Sequence, residues 1–380
     1  MSNNFPLHAP LAPLQYYRSY ARRKPNQERE SWIDTCERTV DALEEMGLTP
    51  GEADLVFGMQ SLHKVFCSGR WLWVGGTEWI TKPENYSGAY NCASTEITDI
   101  HAFAMQMSMA AMGTGTGVVL EPKFINQLPP VRNRLVVKVT EPIGTIQAFA
   151  RLQNTEVSEP QLSAEDASVY TVVVDVGDSR QGWVDAYEAI LELAMRTDIG
   201  SHAAGIRVNV RLGNVRPAGE PLKGFGGVSN PIKLTGLFPR LAEILNPAVG
   251  RNLNSLECCL LIDEAASVIV AGNIRRAAGI RQGAHTDEIF TTAKDNLWVE
   301  EDGVWSIDLK RDALRMANHT RVFHQKPTVT ELIASVRKQF QSGEGAIMFA
   351  PEAIARANAD IMPAAWDHLS DVKHTFVSRQ

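Results

Sequence analysis

"YSGAYNCASTEITDIHAFAMQMSMAAMGTGTGVVLEP", residues 86–122, decides how this chain folds. Its small and polar opening, 88–94, reads as a strand, 97–112 repeats apolar residues at helical spacing, and 116–121 is strand-like again. Two strands joined through one long helix make a parallel β-α-β unit. The rhythm continues with a helix at 181–197, a strand at 205–212, helices at 231–245 and 253–272, and a strand at 345–349, so a mainly parallel α/β sheet or barrel is expected. Within the stretch, Cys92 stands among Asn91, Ala93, Ser94 and Thr95, although Cys usually behaves as a small buried hydrophobe. An inert strand thiol and an accessible redox thiol both remain open. The small polar neighbours suit access, and dithiol chemistry would need a second cysteine.

Upstream, residues 14–65 carry helical patterns, clearest in "ESWIDTCERTVDALEEMG", which Gly47, Pro50 and Gly51 stop. A helical N-terminal region, 1–68, is therefore expected. "GRWLWVGGTEWI", 69–80, reads as a packed, Trp-rich connection into the first strand. Downstream, 122–175 interrupts the alternation with "NRLVVKVT", a polar stretch and "VYTVVVDV", and is predicted to be an inserted β-rich segment.

At 380 residues the chain can bury a large core, and 44% hydrophobic with 21% charged residues is an ordinary globular balance. A net charge of −7 gives no electrostatic footprint for nucleic acid. Arg22, Arg23 and Lys24 read as a solvated surface cluster. No leader pattern opens the chain and no long uncharged apolar run follows, so a cytoplasmic protein with no membrane partner is expected. The five cysteines, Cys36, Cys67, Cys92, Cys258 and Cys259, show neither disulfide-framework nor CxxC spacing, and no metal site is expected. Cys258 and Cys259 fall in a helical pattern and read as buried thiols.

Three further motifs are candidates for chemistry. "MGTGTGVVLEP" sets Gly113, Gly115 and Gly117 at a helix-to-strand junction, where a tight turn and a ligand-facing loop are both open readings. It lacks the Gly-Lys-Ser/Thr of a Walker loop. "NVRPAGEPLKGFGGVSNP", 214–231, is a Gly/Pro-rich loop after a strand, placed where α/β proteins bind ligands. "VAGNIRRAAGI" reads as a helix end whose Arg275 and Arg276 complement the dipole or clamp a phosphate. In "DSRQGWV", Asp178 or Ser179 is the expected helix cap.

Taken together and in this order, "GRWLWVGGT", "YNCAST", "GTGTGVVLEP", "DSRQGWV", "VRPAGEPLKGFGGVSNP", "VAGNIRRAAGI" and "GEGAIMF" resemble the catalytic chain of ribonucleotide reductase, specifically its monomeric, adenosylcobalamin-dependent class. The resemblance implies the first half, and the start of the second, of a ten-stranded α/β barrel over 69–380, with 122–175 in the place of an effector-binding insertion. It makes Cys92 the first-strand cysteine that gives up hydrogen to a ribonucleotide and becomes half of a disulfide. Thr77, Asn91, Thr114 and Gly115 would then touch ribose and phosphate, and loop 214–231, with Gly226 and Gly227, would lie near the base. The implied partners are a ribonucleotide substrate, a deoxynucleotide effector and a thioredoxin-like reductant.

The family's Asn-Pro-Cys-Gly-Glu motif, with its thiyl cysteine and acid/base glutamate, does not occur here, nor does its Pro-Ser-Gly-Thr helix. The expectation is an N-terminal portion that needs a complementing C-terminal portion for activity. A non-catalytic nucleotide-binding chain, or a chain served by a separate radical-generating subunit, stands as the alternative.

Overall fold

The computed structural model describes residues 5–199, 204–222, 228–271, 274–275 and 278–356. The N-terminal part holds α1 (Ala12–Ser19), α2 (Trp32–Glu45), α3 (Pro50–Ser61) and the short α4 (Gly69–Val74). Ser31 with Asp34, and Thr49 with Glu52, form capping boxes that fix where α2 and α3 begin. A small core of Tyr16, Trp32, Cys36 and Leu72 joins these helices. The Trp-rich stretch therefore contains a helix, α4, which Trp71 Nε1 pins to Thr39 O at 3.1 Å.

After a 3₁₀ turn, Pro83–Ala89, come β1 (Cys92–Glu96), α5 (Ile100–Ala111), β2 (Gly115–Val119) and α6 (Pro122–Ile125). Asp99 caps α5, which is why the helix starts later than its apolar pattern does. Then follow β3 (Leu135–Glu141), β4 (Glu156–Val157), β5 (Gln161–Leu162), β6 (Val169–Asp175), α7 (Arg180–Met195), β7 (Gly205–Arg211), α8 (Leu234–Leu245) and α9 (Ser255–Ser267). The described chain ends through β8 (Val270–Ala271), β9 (Ile274–Arg275), β10 (Gly279–Ala284), α10 (Glu288–Thr292), β11 (Trp298–Glu301), β12 (Val304–Ile307), β13 (Ala317–Phe323), α11 (Val329–Ser342), β14 (Ala346–Phe349) and α12 (Ala350–Ala355).

Five strands form a first sheet in the order β1-β2-β10-β13-β14, every pair parallel. A second sheet runs β3-β7-β6, also parallel, with β4 and β5 added antiparallel on β6. The strand expected at 205–212 is thus the centre of the second sheet. Its all-aliphatic buried positions, Ile206, Val208 and Val210, suit a strand covered by neighbours on both sides.

α5, α7, α8 and α9 lie between the sheets, and one core runs from Val118 and Leu120 through Phe103, Tyr187, Phe238 and Leu261 to Val172, Val174 and Val208. The architecture is mixed α/β with parallel sheets. The helix expected over 253–272 stops at Ser267, and Val270–Ala271 pairs antiparallel with Ile274–Arg275 instead. Arg275 is therefore on a strand, and Asn273 and Arg276 lie outside the described residues. No helix among the described residues is long and apolar enough to cross a membrane.

Candidate functional site

Alternation makes the two faces of the first sheet chemically different. Thr116 and Val118 are buried on the helix side, as are Arg281 and His319 beside them. On the other face the register aligns Cys92 with Gly115, Ser94 with Gly117, and Gly117 with Ile280 and then Asn318. Cys92, Ser94, Ile280 and Asn318 are exposed there. A sheet that is aliphatic and ion-paired behind, but in front carries small and polar residues with Ile280 as the aliphatic exception, offers its front to a polar ligand.

Of the five cysteines, Cys92 alone is exposed. Burial pushes the thiols of Cys258 and Cys259 well above the usual range, which keeps them protonated packing groups on α9. A Cβ on Gly115 would stand 3.3 Å from Cys92 Sγ, and one on Gly117 would stand 2.8 Å from Ser94 Oγ. Two of the glycines therefore let β2 approach the small side chains of β1. Gly113 has φ +71°, a left-handed turn that favours glycine.

The turn is organised by a residue that the sequence did not single out. Arg70, on α4, donates from Nη1 to Met112 O at 2.7 Å and from Nη2 to Gly113 O at 2.6 Å. Its Nε donates to Asn91 Oδ1 at 3.2 Å. One guanidinium thus ties the glycine turn to the residue before Cys92. Burial lowers the Arg70 pKa, and the proximity of Cys92 opposes that shift.

The other expected site residues divide. Asn91 is exposed, and its carbonyl accepts Gly115 N–H at 2.8 Å, so Asn91, Cys92 and Gly115 meet. Thr114 is fully buried, and its hydroxyl lies 3.2 Å from Ser87 O and 3.3 Å from Tyr90 O, where it holds the 83–91 segment against β2. Thr77 is half-buried, with its hydroxyl turned back on Val74 O at 2.6 Å. Gly226 and Gly227 lie outside the described residues.

The flanks of the 214–231 loop are anchored to the end of the second sheet. Asp178 accepts from Arg216 N at 3.0 Å and Nε at 2.9 Å, while Arg151 grips Glu220 through two bonds of 2.8 and 2.9 Å. Ser179, not Asp178, caps α7. From the same turn Arg180 reaches across to the 3₁₀ segment, donating to Asn85 Oδ1 at 2.9 Å and Glu84 O at 2.8 Å.

With this geometry in place, known proteins provide a match. An adenosylcobalamin-dependent ribonucleoside-triphosphate reductase of Levilactobacillus brevis is 25% identical over 320 residues, covering 75% of this chain and 42% of that protein. A putative enzyme of the same description from Mycobacterium phage D29 is 27% identical over 328 residues, 78% of this chain and 45% of its own length. The chain is similar to adenosylcobalamin-dependent ribonucleotide reductases. The solved structure of a B12-dependent, class II ribonucleotide reductase matches with a TM-score of 0.62 at 19% identity, over 82% of this chain and 46% of that one, which shows a shared fold. No family model matches. The likeness falls on the N-terminal portion of these reductases, and the chain spans less than half of their length.

Proposed function

We propose that the chain is the N-terminal part of a ribonucleotide reductase that converts ribonucleoside triphosphates to deoxyribonucleotides. The observation that carries this reading is Cys92, the exposed cysteine, at the start of β1 on the open face of a five-stranded parallel sheet and packed against a glycine strand. That sheet is the first half of a ten-stranded barrel, and its open face is the interior. Residues 69–356 with the remaining chain build the barrel around the substrate. The second sheet, including segment 122–175, is the place for a deoxynucleotide effector.

Loss of the ribose 2′-hydroxyl needs a radical at C3′, an acid/base group and two thiols as reductant. Cys92 gives one thiol. It donates hydrogen to the substrate and ends in a disulfide with a cysteine from the complementing portion, which a thioredoxin-like protein then reduces. Asn91 and the backbone of Thr114 and Gly115 hold ribose and phosphate, and Gly226 and Gly227 adjoin the base. Thr77 lies at the edge of this region.

Adenosylcobalamin supplies the radical in the relatives that bear its name. We assign its contacts mostly to residues of the complete enzyme outside this chain. The protein acts in the cytoplasm on nucleotides rather than nucleic acid.

The test combines this chain with a polypeptide carrying the missing thiyl cysteine and glutamate, together with adenosylcobalamin and a dithiol reductant. Deoxyribonucleotide should form from the mixture and not from this chain alone. Cys92→Ser should abolish multiple turnover yet leave nucleotide binding unchanged, because the hydroxyl fills the space without forming a disulfide. Sustained turnover by the Cys92→Ser mixture would sink the assignment.

A further inference from the structure

On the helix side of the first sheet, away from Cys92, is a small cavity lined by apolar surface and by several ionisable side chains. Phe290, Lys294, His319, Arg321, Lys338 and Glu344 contribute its walls. His319 and Arg321 are two residues apart on β13 and so share a face. They are only 6% and 9% exposed. Buried groups of this kind ordinarily have hydrogen-bond partners, but these are under-supplied. His319 Nε2 is buried without a partner. Arg321, with five N–H donors available, places Nη1 3.2 Å from Ser335 Oγ as its described hydrogen bond.

The rim is ionic. Lys294 Nζ lies 2.8 Å from Glu344 Oε1, and Lys338 Nζ lies 2.6 Å from Asp295 Oδ1. Lys294, Arg321 and Lys338 against Glu344 and Asp295 leave one positive charge over. The neighbouring Arg281–Asp263 pair is electrically balanced. Glu344 and Gly345 come from the "GEGAIMF" motif, to which the proposed reaction gives no role. Gly345 has φ +95°, and a Cβ there would come within 3.2 Å of Arg321 Nη2, so the glycine lets the backbone pass close over the guanidinium. About 30 Å³ is free, room for two or three waters at roughly 10–15 Å³ each or for one small group.

We propose that this cavity binds a small oxyanion of the phosphate type, held by Arg321 and His319 with Lys294 and Lys338 at its rim. Burial, with Lys294 and Arg281 adding to it, lowers the His319 pKa to about 3, so the ring is neutral near pH 7. An anion beside the ring acts in the opposite direction. The phosphate group is either the free ion or the end of a nucleotide chain.

The experiment observes the ring nitrogens of His319 by NMR in the full ¹⁵N-histidine-labelled chain. Inorganic phosphate, a nucleoside triphosphate and chloride are titrated in separate arms at matched ionic strength. Saturable movement of the His319 signals with phosphate assigns the free ion. Movement with the nucleotide alone assigns its terminal phosphate, and either result supports the site. Lys338→Gln, at a partly exposed helix position, should weaken binding by about tenfold, and Arg321→Lys should weaken it further, with circular dichroism unchanged in both. Signals that stay fixed to tens of millimolar phosphate, or that move equally with chloride, would overturn the proposal and leave a water-filled ionic cluster. Neither result depends on Cys92 or on turnover.

Discussion

At the scale of single residues, the sequence exposed Cys92 by contrast. A cysteine among small polar residues is out of place in a core, and the structure puts it on the open face. Arg70 stayed hidden because its partners are mostly backbone carbonyls, Met112 O and Gly113 O, which no side-chain pattern encodes. Arg70→Gln should free the glycine turn, at a cost of about 1.5–3 kcal/mol for charged hydrogen bonds. Hydrogen exchange at 112–115 and alkylation of Cys92 should both speed up. Exchange and alkylation rates equal to wild type would show that the turn holds its own shape. Behind the same strands, Asp263 and Arg281 are fully buried partners 2.6 Å apart, and Arg281 also donates to Thr116 O at 3.1 Å. Asp263→Ala alone should cost about 3–5 kcal/mol, because it strands a buried cation. Adding Arg281→Met should recover much of that loss in a urea titration. A double variant no more stable than Asp263→Ala would refute the account.

At the scale of elements, what could be read was what has a local signal. Asp99, Ser179 and Asn254 are side-chain caps that start α5, α7 and α9. β10 and β13 escaped notice because "GIRQGA" and "ANHTRVF" carry Arg281, His319 and Arg321 where an aliphatic strand pattern would place Val or Ile. The charge is tolerated only because distant helices supply partners. β13 therefore brings an acid sensitivity with it. His319 titrates near 6.5 when unfolded and near 3 when folded, so the unfolded chain binds the extra proton between these values. The His319 contribution to stability is fully present above about pH 6.5 and falls by up to about 1.4 kcal/mol per pH unit as pH drops toward 3. His319→Gln should flatten that part of the curve, and an unchanged slope would count against it. Arg180 is the corresponding device between elements. It ties the start of α7 to Asn85 and Glu84, and so joins the second sheet to the segment entering Cys92. Arg180→Ala should raise hydrogen exchange in 83–91 selectively. A uniform rise over the chain would mean general loosening instead.

At the scale of the whole molecule, the sequence could show that strands and helices alternate but not which strand joins which sheet. The strand at 205–211 carries the same aliphatic signature wherever it pairs. Among the described residues, the first sheet ends in two open edges, β1 and β14. Beside β14, α11 exposes Val329, Ile333, Val336 and Phe340 at 72, 47, 54 and 91%, a spacing that sets them along one stripe. Unpaired parallel edges and an apolar stripe favour association, so the chain by itself should self-associate as its concentration rises. Sedimentation velocity should show this, and Phe340→Glu with Val336→Lys should shift the chain toward monomer without loss of helix content. Under the barrel reading, the complementing portion competes for the β1 and β14 edges, and its addition should replace the self-associated species with a defined one-to-one complex. A chain that sediments as a monomer at every concentration, or whose association ignores both the surface changes and the complement, would show that these surfaces are satisfied within the chain and that no second half is needed to cover them.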